Sequence, residues 1–254
     1  MAQNAETTFP AWLHHFDTID STNNYAMQLI DDGLAYHGQV IWADYQTKGK
    51  GQRGKTWENN AGSLLMSLII KPEINADKQF TLSMQTAVTI AKYLQALSAQ
   101  WHVAIKWPND IYLNDKKTCG ILIENVFRGM NWAYAVIGIG VNVNQKKFTE
   151  YLPTATSMSM ISGQEYNLKE MLTDIRTGLL NLIRTTKTDN NNKLLNDYNN
   201  LLFRKGKEIS FIERSNGRHF EAYVQEVNAN GQLILLSHMG IEAYNFGSLD
   251  WILK

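Results

Sequence analysis

The sequence predicts an α+β protein with a mixed sheet, followed by a small all-β domain. Strand-like apolar runs and amphipathic helical stripes alternate irregularly up to residue 203. After Arg204, short alternating segments recur at a spacing of about 8–12 residues with glycine turns between them, which is typical of a small barrel. We therefore expect one domain at residues 1–203 and a second at residues 204–254.

Hydrophobic periodicity and breaker residues give the elements in chain order. The expected strands of the first domain cover residues 13–18, 38–45, 63–70, 103–107, 111–113, 118–126 and 133–143. Helices are expected at residues 21–32, 78–99, 168–183 and 193–203, with Ser21 or Thr22 as the first cap and a polar break at 189–192. Residues 145–157 show no periodic pattern, and the second domain should hold strands at 208–212, 219–227, 232–236, 242–246 and 249–253.

Composition excludes several classes of protein. The 24 basic and 24 acidic residues cancel, which argues against bulk binding of nucleic acid. One cysteine, Cys119, precludes an internal disulfide and fits a reducing compartment. No apolar run reaches the roughly 18–20 residues of a membrane span, and the first residues lack the pattern of a signal peptide. We expect a cytoplasmic protein.

A glycine-rich basic loop occupies residues 44–57. Its glycines and cations are Gly49, Gly51 and Gly54 with Lys48, Lys50, Arg53 and Lys55. Glycine lets the backbone turn tightly and approach a ligand, and successive N–H groups can cradle an anion. The loop is therefore predicted to bind an anion.

Two nucleotide-binding motifs match this loop formally. Gly49-x-Gly51-x-x-Gly54 has the dinucleotide spacing, and Gly49-x4-Gly54-Lys55-Thr56 has the P-loop spacing. Both motifs require a helix that begins on the loop, whereas a β-run follows Gly62. Both remain formal alternatives that the pattern disfavours.

Two more motifs follow in the same domain. Lys106-Trp107-Pro108-Asn109-Asp110 precedes Lys117, which begins an otherwise apolar strand. A lysine in that position either extends its ammonium group to water or faces an anion. In residues 137–144, Gly138 and Gly140 indicate a strand that meets a bulky group or crosses a neighbour closely.

Together these features resemble the biotin–protein ligase family, from Asp20 to the C-terminus. The matching segments, in the family's order, are Ser21-Thr22-Asn23, Tyr45-Gln46 with the glycine loop, Lys106-Trp107-Pro108-Asn109-Asp110 with Lys117-Thr118-Cys119-Gly120-Ile121-Leu122, and Gly138-Ile139-Gly140-Val141-Asn142. The resemblance implies an SH2-like catalytic domain of the class II synthetase-like type, with a mixed sheet, and an SH3-like barrel behind it.

The resemblance also implies the chemistry and the residues that perform it. ATP and biotin would form biotinyl-5′-AMP, and a lysine of a biotin carboxyl carrier domain would then accept the biotin. The implied biotin-binding residues are Ser21, Thr22, Asn23, Gln46, Lys50, Gly51, Gln52, Lys117 and Gly120. The implied ATP-binding residues are Gly49, Arg53, Lys55, Trp57, Asn109, Asp110 and Asn142, with Lys117 and Arg53 catalytic and Asp110 a candidate Mg²⁺ ligand.

The glycine loop departs from the family pattern at two positions. Many members have arginine where this chain has Lys50 and Gln52. Lysine keeps the charge but loses the bidentate fork, and glutamine keeps only hydrogen bonding. Arg53 is therefore expected to be the main phosphate anchor, and Gln52 is the position where retention of the adenylate is in question.

Two other functions stay open. A lipoate–protein ligase would share the fold, and a non-catalytic nucleotide- or phosphate-binding module would share the loop. Some biotin ligases also repress transcription through an N-terminal helix-turn-helix, but about twelve residues precede the first expected strand, against ~60 for such a domain. We expect a monofunctional ligase with no DNA or membrane partner, and family precedent allows either a monomer or a homodimer.

Overall fold

The computed structural model describes residues 9–58, 61–150, 154–185 and 191–253. The chain forms two compact units, Met1–Glu73 with Cys119–Arg176 (unit 1) and Ile74–Thr118 with Thr177–Lys254 (unit 2). Each unit is discontinuous in sequence. This division differs from the expected domains, and the boundary at residue 203 stays a prediction.

The regular elements alternate much as expected. The strands are β1 (Leu13–Ile19), β2 (Val40–Gln46), β3 (Ser63–Ile70), β4 (Val103–Lys106), β5 (Asp110–Leu113), β6 (Lys116–Arg128), β7 (Asn131–Asn142), β8 (Glu208–Glu213), β9 (His219–Val227), β10 (Leu233–Ser237), β11 (Gly240–Tyr244) and β12 (Leu249–Ile252). The α-helices are α1 (Thr22–Asp31), α2 (Gln79–Leu97), α3 (Met158–Ser162), α4 (Leu168–Thr185) and α5 (Asn191–Asn200).

Unit 1 is built on a mixed sheet, as predicted. Its strands lie in the order β1-β2-β3-β7-β6. β1 runs parallel to β2, whereas the β2–β3, β3–β7 and β7–β6 pairs are antiparallel. β6 and β7 are consecutive in the chain, but β3 lies far before β7, and this long-range β3–β7 pairing produces the discontinuous unit.

Helix α1 packs on one face of this sheet. Its Ala26, Leu29 and Ile30 join Ile69 of β3 and Val136 of β7 in a buried cluster. The cross-strand register places the Ser67–Gly138 pair one step along the same face, because alternate residues of a strand share a face. The packing of these apolar residues thus places the first turn of α1 over Ser67 and Gly138.

Unit 2 contains the antiparallel β4–β5 pair and a five-stranded antiparallel sheet. The order of that sheet is β11-β10-β9-β8-β12, and it is open. All five C-terminal strands occur where they were predicted, but closure into an SH3-like barrel stays a prediction. Asn114 and Asp115, both with positive φ, form the turn between β5 and β6.

Two segments differ from the expected pattern. Helix α3 begins directly after the stretch expected to be irregular, where no element was predicted, and the Ser157 side chain accepts a hydrogen bond from the Met160 N–H at its cap. Helix α5 ends before Phe203, because the backbone at Leu201 and Phe203 bonds to Ile105 of β4 instead of continuing the helix. Part of the predicted break at 189–192 lies outside the described residues, as does the start of the chain. In the part of the chain that is described, no helix is both long and apolar enough to cross a membrane.

Candidate functional site

A row of buried polar side chains lies at the start of α1 in unit 1. Ser21, Thr22 and Asn23 are 1–3% exposed, and Gln46 at the end of β2 is 7% exposed. Ser21 occupies the N-cap position, but its side chain makes no capping hydrogen bond. The buried polar groups therefore do more than begin a helix.

These side chains form a continuous hydrogen-bonded chain. The Gln46 Oε1 atom accepts the Thr22 N–H at 2.7 Å and lies 3.1 Å from the Thr22 hydroxyl. The fully buried Ser67 hydroxyl lies 2.7 Å from Thr22 Oγ1 and 2.6 Å from Asn23 Oδ1. Asn23 Nδ2 in turn donates to Glu124 Oε2 of β6 at 2.6 Å. Polar groups buried this deeply must be paired, and here they pair with one another.

Two glycines of β7 make the floor beside this row. A Cβ atom at Gly138 would collide with Asn23 Oδ1 and lie 3.0 Å from its Cγ. At Gly140 a Cβ atom would lie 2.6 Å from Trp57 Cε2. Glycine is thus required because an amide and an indole ring rest directly on the strand. Gly120 of β6 pairs with Gly140 across the sheet, which leaves a surface without side chains under Trp57.

The basic loop closes on itself between β2 and β3. The Gly51 N–H donates to the Lys55 carbonyl at 2.6 Å, and the Trp57 N–H donates to the Gly49 carbonyl at 3.1 Å. A single 3-10 turn, Gln52–Gly54, forms the tip, with Arg53 in the left-handed region at φ 57°. No helix begins in the described residues between this turn and β3, so the dinucleotide and P-loop alternatives lack the element they require.

The loop places positive charge beside the polar row. Lys48, Lys50, Arg53 and Lys55 all have exposed side chains. Lys50 pairs with Glu124, with 3.4 Å between Nζ and Oε1. Asp20, at the start of α1, is held in its charged form because the Asn24 side chain bonds to it; this bond outweighs burial and lowers the pKa of Asp20, with smaller help from Lys48 and Lys50.

Asn142 ends β7 on the same face as Gly140. It is 5% exposed, and its Oδ1 accepts a hydrogen bond from Gln145 Nε2 at 3.0 Å. Gln145 Nε2 also lies 2.6 Å from Ser63 Oγ, on the neighbouring strand. The side chain of Asn142 is therefore fixed in orientation before any ligand arrives.

Lys117 and Asp110 lie in unit 2 and form an ion pair. Lys117 Nζ is 2.7 Å from Asp110 Oδ1, and the two side chains are 33% and 19% exposed. Asp110 also acts on two tyrosines: burial raises the pKa of Tyr198 and of Tyr112, and the Asp110 charge raises both further. Asn109, half-buried, precedes Asp110 directly.

One group of potential metal ligands occurs in unit 1, and Asp110 as a metal ligand stays a prediction. Among the described residues, three close potential ligands occur together at His15 and Asp17 of β1 and Asp44 of β2. His15 Nε2 is 3.0 Å from Asp44 Oδ1, and both aspartates are exposed. Asp110 belongs to no such group of three among those residues, and its carboxylate pairs with Lys117.

The structure brings part of the predicted set together. Thr22, Asn23, Gln46 and Lys50 share one hydrogen-bonded chain, and Trp57 lies on the adjoining glycine floor. Sequence reasoning missed Ser67, which stands in a run of apolar residues, and Glu124, which ends the Gly-Ile-Leu-Ile-Glu segment. Both face the row because the strand register places them on the sheet face that α1 covers, and no pattern in the sequence marked them.

The chain is similar in sequence to known proteins. The profile of the Biotin/lipoate A/B protein ligase family matches residues 15–142. The chain is 39% identical over 153 residues to "Bifunctional ligase/repressor BirA" of Bacillus spizizenii, covering 59% of this chain and 46% of that relative. It is 37% identical over 125 residues to "Biotin--[acetyl-CoA-carboxylase] ligase" of Paracoccus denitrificans, covering 49% of this chain and 51% of that relative.

The match to curated relatives is partial, whereas the match in fold is nearly complete. The chain spans about half the length of these relatives. The structure of the biotin protein ligase from Aquifex aeolicus in complex with biotin and ATP superposes with a TM-score of 0.81 at 23% identity, over 95% of this chain and 99% of that one. At that identity the likeness establishes the fold. Because the family profile covers half of the sequence, the chain belongs to the Biotin/lipoate A/B protein ligase family.

Proposed function

We propose that the chain activates biotin with ATP and transfers it to a lysine of a biotin carboxyl carrier domain. A carboxylate oxygen of biotin attacks the α-phosphorus of ATP, and the bond to the β-phosphate breaks, so that pyrophosphate leaves. The amine of the carrier lysine then attacks the acyl carbon, AMP leaves, and the amine loses a proton. Relatives named as biotin ligases support this choice.

The observation that carries the proposal is the buried polar row at the start of α1. The ureido ring of biotin offers two N–H donors and one carbonyl acceptor. Thr22, Asn23, Gln46 and Ser67 present hydroxyl and amide groups of both kinds in one place. Ser21, buried beside them, adds another hydroxyl. Such a set suits a ligand that carries both donors and acceptors.

The same observation argues against lipoate, the other acid of this family. A dithiolane ring has no N–H or carbonyl group. If it entered the polar row it would desolvate hydroxyl and amide groups without replacing their hydrogen bonds, which costs about 1–3 kcal/mol for each group left unpaired. We therefore keep the lipoate–protein ligase as the second candidate and rank it below biotin.

The basic loop is the proposed phosphate site. Exposed cations at Arg53 and Lys55 attract the polyphosphate chain, and the backbone at Gly49, Lys50 and Gly51 can approach the reacting groups closely. Trp57 offers its ring to the adenine, and Asn142 offers its fixed side chain to the nucleotide. Gln52 is polar but uncharged, so Arg53 is the stronger anchor.

Lys117 is the proposed catalytic residue, together with Arg53. It lies on β6 three residues before Gly120, a separation that spans about 10 Å of extended chain. Gly120 would leave room for the tail of biotin, and Asn109 would contact the nucleotide. A compact ammonium group can stabilise charge on the biotin carboxylate and on the α-phosphate as they approach.

Mg²⁺ would arrive with ATP, bound to its phosphates, because Mg²⁺ commonly binds through substrate phosphates and few protein carboxylates. The single carboxylate of Asp110 is engaged by Lys117 and makes a poor metal ligand in that pairing. Asp110 as a metal ligand therefore stays a prediction, and no step is assigned to a protein-bound ion.

The remaining expectations follow from the proposed activity. The proposed partner is a carrier domain of a biotin-dependent carboxylase, and the proposed location is the cytoplasm; the single cysteine of the sequence, which is buried, fits a reducing compartment. The C-terminal strands are proposed to form an SH3-like barrel. The absence of DNA binding and the choice between monomer and homodimer stay predictions.

One assay distinguishes the candidate functions. The protein is incubated with ATP and Mg²⁺, and with biotin, with lipoate or with neither acid, in the presence and absence of a carrier domain. We expect pyrophosphate release only with biotin, and label on the carrier only when all components are present. Release with lipoate alone would favour the second candidate, and binding of ATP without release would indicate a non-catalytic module.

A further inference from the structure

We propose that Glu124 is a positioning residue of the biotin site. This inference rests on the function proposed above and names a residue outside the predicted site. Glu124 lies on β6, its side chain is 30% exposed, and each of its two oxygens contacts a different functional segment. Oε2 accepts from Asn23 of α1 at 2.6 Å, and Oε1 faces Lys50 of the basic loop at 3.4 Å.

The first consequence concerns the orientation of the Asn23 amide. An ionised carboxylate can only accept hydrogen bonds, so Asn23 must present its NH₂ group to Glu124. Its Oδ1 atom then points to Ser67 and to the floor at Gly138. Glu124 therefore determines which end of this buried amide faces the polar row.

The orientation of Asn23 in turn determines the direction of the neighbouring hydroxyl groups. Since Asn23 Oδ1 is an acceptor, the Ser67 O–H must donate to it across the 2.6 Å contact. The same Ser67 O–H also faces Thr22 Oγ1 as a donor at 2.7 Å, and the Thr22 O–H in turn donates to Gln46 Oε1 at 3.1 Å. Ser67 therefore directs its one proton toward Asn23 and Thr22, and Asn23 donates onward to the Glu124 carboxylate.

When the hydrogen-bond directions within the polar row are fixed, the row presents fixed donors and acceptors to a ligand. Gln46 Oε1 accepts from the Thr22 N–H at 2.7 Å and from the Thr22 O–H at 3.1 Å. If the Asn23 amide were turned over, its NH₂ group would face Ser67 and the Ser67 proton would no longer be directed to Asn23, so the fit to a ureido group would change. Glu124 acts on biotin through these residues and does not touch the reacting atoms.

The second contact ties the row to the basic loop. Lys50 and Glu124 are 40% and 30% exposed, so this ion pair contributes little to stability in water. The role of the ion pair is to position Lys50, which is held toward the same carboxylate that orients Asn23. Glu124 thereby connects the polar row with the basic loop.

The decisive variant is Glu124→Gln, which keeps the shape but adds a donor. The new NH₂ group can donate to Asn23 Oδ1, so the Asn23 amide can turn over and the direction of the row is no longer fixed. We expect the KM for biotin to rise about 10- to 100-fold, with kcat and the KM for ATP changed less than ~3-fold. Ser67→Ala interrupts the same row, and its effect should not add to that of Glu124→Gln.

A compensating variant tests direction separately from stability. In the double variant Asn23→Asp/Glu124→Gln, the aspartate carboxylate accepts hydrogen bonds from Ser67 and from the glutamine amide. The hydrogen-bond directions of the wild type are thereby restored. We expect the double variant to recover the KM for biotin to within ~3-fold of wild type, whereas Asn23→Asp alone sets two carboxylates against each other and raises it. Glu165→Gln, which removes an exposed pair with Lys146 at 3.1 Å, is the matched control and should change nothing.

The outcomes separate this inference from the function on which it rests. If the wild type releases no pyrophosphate with biotin, the proposed function fails. If the wild type is active and both Glu124→Gln and Ser67→Ala keep its KM for biotin, Glu124 has no positioning role. The inference would also be overturned if adding Asn23→Asp to Glu124→Gln did not restore the KM for biotin. It would be overturned as well if a fall in melting temperature accounted for the whole change in that KM.

Discussion

Lys117 and Asp110 hold each other across 2.7 Å, although the sequence assigned one to the biotin carboxylate and the other to the nucleotide. Each side chain is at most one-third exposed. The side chain of Lys117 is therefore held in one place by the carboxylate of Asp110. When two anionic substrates arrive, the ammonium group can exchange a carboxylate partner for another carboxylate or a phosphate at little cost in desolvation.

Lys117→Ala tests the catalytic assignment. Lys117 is the only residue of β6 proposed as a catalytic cation. Its loss should lower the rate of adenylate formation about 100- to 1,000-fold, because the charge that develops on the reacting oxygens loses its stabilising partner. The free energy of unfolding should change by less than ~1 kcal/mol, since the ion pair is partly exposed. Single-turnover pyrophosphate release and thermal unfolding measure the two effects.

Lys92→Ala is the matched control in the same unit. Lys92 pairs with Asp197 at 2.6 Å, and its side chain is 53% exposed. This variant should keep the wild-type rate. Equal rates in the two variants would remove Lys117 from the mechanism.

Gly138→Ala and Gly140→Ala test whether the two glycine positions of β7 must lack a side chain. The backbone of β7 accepts alanine, but the added methyl groups would displace Asn23 and Trp57, respectively. Overpacking of this kind costs about 1–3 kcal/mol. We expect Gly138→Ala to weaken biotin binding and Gly140→Ala to weaken ATP binding, each measured by calorimetric titration.

Gly178→Ala provides the comparison for these variants. Its Cβ atom would lie 3.2 Å from the methyl group of Thr89, a contact that a small shift relieves. In a helix, alanine in place of glycine adds up to ~1 kcal/mol of stability. Unchanged ligand affinity in all three variants would contradict the assignment of the floor.

The strands and helices were predictable because each carries its own periodic pattern. β3, β9 and α4 begin and end within a few residues of the expected positions. The division into units was not predictable, because it depends on β7 pairing with β3, which is distant in sequence. Helix α3 was missed because five residues are too few to show helical periodicity.

The site was predictable only where a motif marked it. Thr22, Gln46 and Lys50 belong to segments that resemble a known family, and they share one hydrogen-bonded row. Ser67 and Glu124 carry no such mark, since a serine in an apolar strand resembles an ordinary core position. Their role emerges only when strand register places both on the face that α1 covers.

Gln52→Arg tests the main departure of the basic loop. Gln52 opens the 3-10 turn at the tip and is half-buried. An arginine there would add a charge and a bidentate fork for phosphate. We expect slower release of the labelled adenylate, measured by dilution into unlabelled biotin. Gln164→Arg, an exposed substitution beyond α3, is the control; the same release rate in Gln52→Arg and wild type would show that position 52 does not hold phosphate.

The C-terminal sheet should lose stability in acid through Glu242. Burial raises the pKa of Glu242, but hydrogen bonds from Arg218, Ser237 and Tyr244 outweigh it and leave the pKa below its ordinary value of 4.5. Because folding lowers this pKa, the stabilising contribution is complete above that value and is lost as pH falls through the folded pKa. Melting temperature measured against pH should show the loss in wild type.

Arg218→Met should flatten this part of the pH profile. Arg218 Nη2 donates to Glu242 Oε1 at 3.0 Å and to the Tyr244 hydroxyl at 2.7 Å. Without Arg218, only the hydrogen bonds from Ser237 and Tyr244 oppose the effect of burial, so the pKa of Glu242 is depressed less. Glu226→Gln, an exposed change on the same sheet, should keep the wild-type profile. An unaltered profile in Arg218→Met would contradict the assignment.

The most direct test of the central claim is ATP–pyrophosphate exchange dependent on biotin. Labelled pyrophosphate enters ATP only if the protein forms an acyl-adenylate reversibly, and no carrier domain is needed. We predict exchange with biotin, none without an acid, and a loss of about 100-fold or more in Lys117→Ala. The absence of biotin-dependent exchange in a folded protein that binds ATP would contradict the account.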